Sequence, residues 1–416
     1  MENCINDAEV SASLYAGGIA GWSSRYIRKC TNNGSLENNS ACAGGIAGYN
    51  SFEVSDCVNY GSIGKPNLAH TVGGICGEAK EMIISNCENY GTVYGILQIG
   101  GIAGNITEPE WADGYMDSCS NYGMIIAAES SSKIGGICGN GNGNIINCIN
   151  SGDISVGKSS MYIGGIGGDL GNVYTLVNCI NTGKITGTGA MYVGGIAGKI
   201  YGSSFGNCVS TGALNITNGS YAANIVGEWV SDYYAITNCY ALNNNFSADA
   251  VAEENCRVIS QKSLSTDAPQ LTSSVSVGDY TGNDLVQALN ALVWREYTES
   301  EYYLYYPLCF WKYQDGIWMR AGAVSVKTTE DAVAELLTVF PLKSGTSLKD
   351  YNVLAATYLA SGKMQDVIGL DFIDEYDTPT YLEEIDGSSL KFSTFKILIL
   401  DEKYSPYQPV VTVSGS

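Results

Sequence analysis

A cysteine returns every 26 to 32 residues through the first part of the chain, at Cys4, Cys30, Cys57, Cys87, Cys119, Cys148, Cys179, Cys208 and Cys239. Asparagine follows two positions later at Asn6, Asn32, Asn59, Asn89, Asn121, Asn150 and Asn181. Glycine follows two after that, at Gly34, Gly61, Gly91, Gly123, Gly152, Gly183 and Gly212. A second block, Gly-Gly-Ile-x-Gly, accompanies each unit and starts at Gly17, Gly44, Gly73, Gly100, Gly135, Gly164 and Gly194, with a worn copy at Ala222-Ala223-Asn224-Ile225-Val226-Gly227. Two blocks sharing one period mark a repeat architecture, in which each unit buries its apolar face only against its neighbours.

The units cannot be helical. Their apolar pieces are short, as in Met191-Tyr192-Val193, and glycine interrupts them every few residues, at a cost of about 1 kcal/mol per helical position. Short strands with glycine corners remain. A unit of this length coils once around an axis, so that each strand pairs in parallel with its equivalent ~4.8 Å away and like residues stack into ladders. The expectation is an all-β parallel β-helix of about nine rungs over residues 1–256, a rod of roughly 40 Å. Cysteine is expected to fill the interior as a small hydrophobe. Asparagine is expected to turn the chain at each Asn-x-Gly corner and to bond along its own ladder.

The chain has 14 cysteines and no Cys-x-x-Cys pair. In-register parallel stacking fits the disulfide dihedral poorly, so buried free thiols are expected. Metal binding by the ladder is not, since its sulfurs would line a dry core instead of converging. No cofactor is expected. A net charge of −21 with pI near 4.3 repels phosphate backbones and anionic lipid, which argues against nucleic-acid and membrane-surface partners. No apolar run is long enough to insert in a bilayer. Met1 is followed by neither a basic nor an apolar leader region, and Asn3-Cys4-Ile5-Asn6 already matches the repeat, so the chain is expected to open inside a unit.

The Asn-Cys-x-Asn-x-Gly-x-Ile…Gly-Gly-Ile-x-Gly unit resembles the GLUG-type repeat of bacterial surface proteins, which also occurs in the stalks of zinc-dependent immunoglobulin A proteases. The resemblance covers residues 1–256. It implies a right-handed β-helix displayed outside the cell: a secreted or cell-surface rod without catalysis, presenting loops to glycans or proteins. The protease part does not carry over, because the single histidine, His70, is followed by Thr71 and His-Glu-x-x-His is absent.

The rival reading is a polysaccharide lyase or hydrolase on the same scaffold, which needs carboxylates, or calcium with a basic residue, clustered on one outer face. A candidate ligand-binding loop precedes Cys119, where Trp111 and Tyr115, flanked by Glu110 and Asp113, could stack on a sugar ring.

Beyond the array, residues 257–320 are expected to connect and cap. A helix is expected over Asp284–Trp294, with Thr281 or Asn283 as its cap, followed by an aromatic segment from Tyr302 to Trp311. In GLUG-type proteins a comparable helix and tryptophan segment closes the array. Residues 321–416 are expected to form a small immunoglobulin-like β-sandwich, with strands at 351–359, 364–372, 390–400 and 409–413 and a short helix at 330–340.

Overall fold

The structure, a computed structural model, describes residues 1–36, 41–65, 69–80, 83–107, 115–171, 175–201, 204–230 and a few up to 241, together with strands between residues 291 and 415. The chain divides into two compact units, Met1–Thr266 and Asp267–Ser416.

The first unit is a parallel β-solenoid. One coil contains five short strands, such as Asn144–Ile146, Ile149–Asn150, Ile154–Val156, Met161–Gly164 and Gly167–Leu170. Each pairs in parallel with its counterpart one coil away, so five sheets run along the axis of the array. The sheet of two-residue strands after each cysteine, from Ile5–Asn6 to Tyr240–Ala241, is nine strands deep. Three others are eight deep and the fifth has five strands.

The ladders explain the repeat. The asparagines from Asn6 to Asn181 stack in register, each amide bonded to the next: Asn32 Nδ2 donates to Asn59 Oδ1 at 2.7 Å, Asn59 to Asn89 at 2.7 Å, and Asn89 to Asn121 at 2.8 Å. The same nitrogen also donates to the carbonyl of the glycine two residues on, for example Asn89 to Gly91 at 2.9 Å. These asparagines lie in strands. The left-handed turn expected at Asn-x-Gly falls instead on the residue before each cysteine, with φ of 51–55° at Asn3, Lys29, Asp56, Asn86, Ser118, Asn147, Asn178 and Asn207. That column is rich in asparagine because its side chain tolerates this conformation.

The Gly-Gly pair is the tip of a re-entrant fold. A Cβ on Gly101 would lie 2.3 Å from Asn121 Cγ and 2.1 Å from the Gly136 carbonyl oxygen, so the tip presses on the asparagine ladder of the opposite wall. The strands before and after the tip also touch. A Cβ on Gly48, the last glycine of its block, would sit 2.7 Å from the backbone nitrogen of Ala16. A Cβ on Gly100, the first of its pair, would lie 1.9 Å from the Ala103 carbonyl oxygen, so close approach calls for glycine at all three positions inside the array.

This pinch divides the interior into two apolar compartments. One holds the cysteine ladder, the isoleucines of Gly-Gly-Ile (Ile46, Ile75, Ile102, Ile137, Ile166, Ile196) and Phe205. The other holds Leu36, Ile63, Val93, Ile125, Ile154 and Ile185 against Val72, Ile99, Ile134 and Ile163. Each fully buried isoleucine stabilises the array by about 2–3 kcal/mol.

The second unit is β-rich and mostly antiparallel. Asn352–Tyr358 pairs antiparallel with Met364–Gly369, as expected, and with Thr394–Leu400; the expected turn Ser361-Gly362-Lys363 between the first two lies outside the described residues. The expected strand at 409–413 is Val411–Gly415, and the expected run 364–372 is split into Met364–Gly369 and Asp371–Ile373. Two expectations are corrected. Residues 291–294 are not helical but open the strand Ala291–Thr298, which pairs with Glu301–Tyr303 and Val411–Gly415. The expected helix at 330–340 contains the strand Val333–Val339, held between Ile317–Thr328 and Thr380–Asp386. In both, β-branched and aromatic residues with strand partners on two sides override a weak helical period. Residues 284–290 lie outside the described residues. Of the aromatic segment, residues 304–307 lie outside the described residues, and Leu308–Gln314 pairs antiparallel with Ile317–Thr328.

Candidate functional site

At the mouth of the re-entrant fold, two rows of side chains face each other along the array. The first row lies two residues before each glycine pair: Tyr15, Cys42, Thr71, Gln98, Lys133, Tyr162, Tyr192 and Tyr221. The second lies five residues after the first glycine and is in register from coil to coil: Trp22, Tyr49, Glu78, Asn105, Asn140, Asp169, Lys199 and Glu228. Most of these residues are half-buried, which makes the mouth a seam and not an open cleft.

The seam is stitched by side-chain contacts. Tyr15 and Tyr49 meet with ring centroids 5.7 Å apart, and Trp22 stacks parallel on Tyr49. The Cys42 thiol donates to Glu78 Oε2 at 3.6 Å, and burial, with the nearby Glu78 charge, pushes that thiol up to about 12. Lys133 Nζ lies 3.0 Å from both Asn140 Oδ1 and Asp169 Oδ2. Lys199 Nζ pairs with Glu228 at 3.0 Å and sits over the rings of Tyr162 and Tyr201. Burial works against the Lys199 ammonium, but Glu228 and Tyr201 beside it more than offset that and hold its proton more tightly than usual.

A second surface feature occupies the middle position of Asn-x-Gly. Tyr60, Tyr90 and Tyr122 are exposed and stack ring on ring, with centroids 5.1 and 4.8 Å apart. The Tyr90 hydroxyl donates to Glu88 Oε2 at 3.0 Å, and burial together with that carboxylate raises its phenol. Tyr162, Tyr192 and Tyr221 form a similar stack along the seam. Neither stack stands out in the linear sequence, although both are visible once the units are aligned by column.

Of the loop residues singled out by sequence, Trp111, Glu110 and Asp113 lie outside the described residues. Tyr115 is half-buried in the strand Tyr115–Asp117, directly above Ile83, which lies above Glu53. That register makes Tyr115 part of the solenoid wall, where burial and the charges of Asp117 and Glu53 raise its phenol. His70 is exposed in the turn before Thr71.

The cysteine ladder has no site character. Among the described residues its thiols form no disulfide, and they donate to the carbonyl two residues back, for example Cys57 to Ser55 at 3.1 Å and Cys87 to Ser85 at 3.2 Å. Among the described residues no cluster of His, Cys, Asp and Glu is arranged to hold a metal, and no helix is long and apolar enough to cross a membrane.

No protein-family model, no curated protein and no solved structure matches the chain.

Proposed function

We propose that the chain is a non-catalytic, bacterial, secreted or cell-surface repeat protein of the GLUG type: a stiff rod that contacts glycans or proteins on another surface, with an immunoglobulin-like second unit. The observation that carries this reading is the exposed stack Tyr60–Tyr90–Tyr122. Tyrosine offers a large amphipathic contact at low entropic cost, and here stacking on the neighbouring ring already holds each one. The rings cover one another's faces, so they present a line of edges and hydroxyls along the rod. An extended ligand lying parallel to the axis, such as a glycan chain, suits that line.

The seam carboxylates favour binding over hydrolysis. A glycosidase needs two carboxyl groups about 5–10 Å apart, one holding a proton and one free to act as base or nucleophile. Glu78 is engaged by Cys42, Asp169 by Lys133 and Glu228 by Lys199. Asp169 and Glu228 stand two rungs apart, roughly 10 Å, with Lys199 between them.

A glycan array probed with the parent chain, Tyr90→Ala and Trp111→Ala tests the proposal. Binding by the parent that falls in at least one variant is the expected result; equal signals, or none, would remove the glycan reading. Release of reducing ends or unsaturated sugars from a polysaccharide panel would remove the non-catalytic one.

A further inference from the structure

Lys133, Asn140 and Asp169 bring an amine, a carboxamide and a carboxylate together at the seam. Lys133 lies in the strand Ser132–Gly135 and Asn140 in Cys138–Gly141, so the two face each other across one glycine tip. Asp169 is the register partner of Asn140 in the next coil. Lys133 has a left-handed backbone, φ 60°, as do Tyr162 and Tyr221 further along its row, so its placement is set by the fold.

Hydrogen bonds hold the amine beside the amide carbonyl, and a short swing of Nζ from Oδ1 over the amide plane to Cγ would begin attack. Asn140 Nδ2 donates to Asn105 Oδ1 at 2.7 Å, which turns its carbonyl oxygen toward Lys133 Nζ, 3.0 Å away. A C=O bond of about 1.23 Å then places Nζ no more than about 4.2 Å from Asn140 Cγ. That is within about 1 Å of a near-attack distance of ~3–3.5 Å. Asp169 Oδ2 lies 3.0 Å from the same Nζ, while its buried Oδ1 has no hydrogen-bond partner among the described residues. A carboxylate so placed can accept a proton from the amine.

We propose that Lys133 and Asn140 condense into an intramolecular isopeptide bond, with Asp169 as the proton carrier. The Lys133 ammonium passes one proton to Asp169, and the freed Nζ lone pair forms a bond to Asn140 Cγ as the C=O π pair moves onto Oδ1. A second proton moves from Nζ to Nδ2. The oxygen pair then returns, the Cγ–Nδ2 bond breaks, and ammonia departs and takes the proton held by Asp169. The balance is ammonium plus carboxamide giving a secondary amide plus ammonium ion, with no oxidant or other reactant. The product clips the two walls of the re-entrant fold together in the middle of the array.

Intact-mass measurement and a tryptic map of the purified full chain test this. The folded parent should be lighter than its sequence by one ammonia. Trypsin should fail to cut after Lys133, so that residues 81–158 are recovered as one peptide carrying the deficit. Lys133→Arg, Asn140→Ala and Asp169→Asn should each have full mass, with cleavage after position 133 restored. A cyclic imide at Asn140-Gly141 would also lose ammonia, but it would leave Lys133 cleavable and would persist in Lys133→Arg. Full mass in the parent, cleavage after its Lys133, or a deficit that survives Lys133→Arg would overturn the proposal. The parent's map decides the matter even if a variant fails to fold.

Discussion

The buried amide is the single side chain on which the coils most depend, because it serves three neighbours at once. Asn89 accepts from Asn59, donates to Asn121 and donates to the Gly91 carbonyl, all out of water. An unsatisfied buried donor or acceptor costs about 1–3 kcal/mol. Asn89→Ala should therefore lower stability by about 3 kcal/mol or more in urea unfolding. Asn89→Asp should be comparably damaging at neutral pH, since it keeps the shape and exchanges both donors for an acceptor. The far end of the ladder gives the opposite test. Ser210 takes the asparagine column at the eighth rung, and its buried hydroxyl has no partner among the described residues. Ser210→Asn should offer Asn181 Nδ2 an acceptor and raise stability by about 1 kcal/mol. Parent-like midpoints for both Asn89→Ala and Ser210→Asn would mean that packing alone holds the rungs.

At the scale of the element, the re-entrant fold depends on its tip. A Cβ at Gly136 would lie 2.0 Å from the Gly165 carbonyl oxygen and 2.4 Å from Asn150 Cγ, whereas one at Gly141 in the same coil would meet only Cys138 Sγ at 3.1 Å and side-chain carbons no nearer than 3.7 Å. Register partners of Gly141 are Ile106 and Leu170, so that position accepts a side chain. Gly136→Ala should lower the thermal midpoint by several degrees or prevent folding, while Gly141→Ala should be neutral or stabilise by up to about 1 kcal/mol. Similar losses from both would remove the re-entrant tip as the reason for the glycines. The period, the strand class and the ladders were legible in the sequence because in-register stacking repeats each residue type by column. The tip's inward path was not legible, since the glycine motif indicates close approach without naming what approaches. The seam escaped notice for a related reason. Its columns change chemistry from rung to rung, from Cys42 to Lys133 to Tyr162, and only the fold shows that they share one surface. In the second unit, helical spacing misled at 291–294 and 333–339, where long-range pairing decides the conformation.

For the whole molecule, stability is a sum over stacked coils, and two measurements follow from that. Burial pushes the thiol of Cys30 up to about 11 and that of Cys42 to about 12, and raises Cys76, Cys87, Cys119, Cys138, Cys179 and Cys239 above the ordinary value of 9.0, while hydrogen bonds from the neighbouring thiols lower Cys57 and, against burial, Cys208. A folded-state pKa raised in this way leaves stability intact below about pH 9. Above it, the unfolded chain ionises first, and stability falls by about 1.4 kcal/mol per pH unit for each such thiol until the folded pKa is reached. With eight thiols raised against two lowered, the urea midpoint should fall steeply between about pH 9 and 10, with a shallower fall in Cys119→Ala; a fall no steeper than that of a chain with exposed thiols would contradict the buried ladder. The second measurement concerns length. Each coil touches chiefly its neighbours, so a whole coil can be removed while half a coil cannot. Deleting residues 149–179 joins Cys148 to Ile180, restoring the Cys-Ile step of Cys148-Ile149, and brings the Asn121 rung beneath the Asn181 rung with its donors and acceptors matched. Deleting 149–163 instead would set the asparagine column beneath a glycine wall and break all five sheets at once. The full-coil deletion should fold, with a smaller unfolding enthalpy and a midpoint within a few degrees of the parent. The half-coil deletion should not fold as one cooperative array. Equal tolerance of the two would mean that the coils are not registered to one another, and with that the seam and the tyrosine stacks would lose the lattice that aligns them.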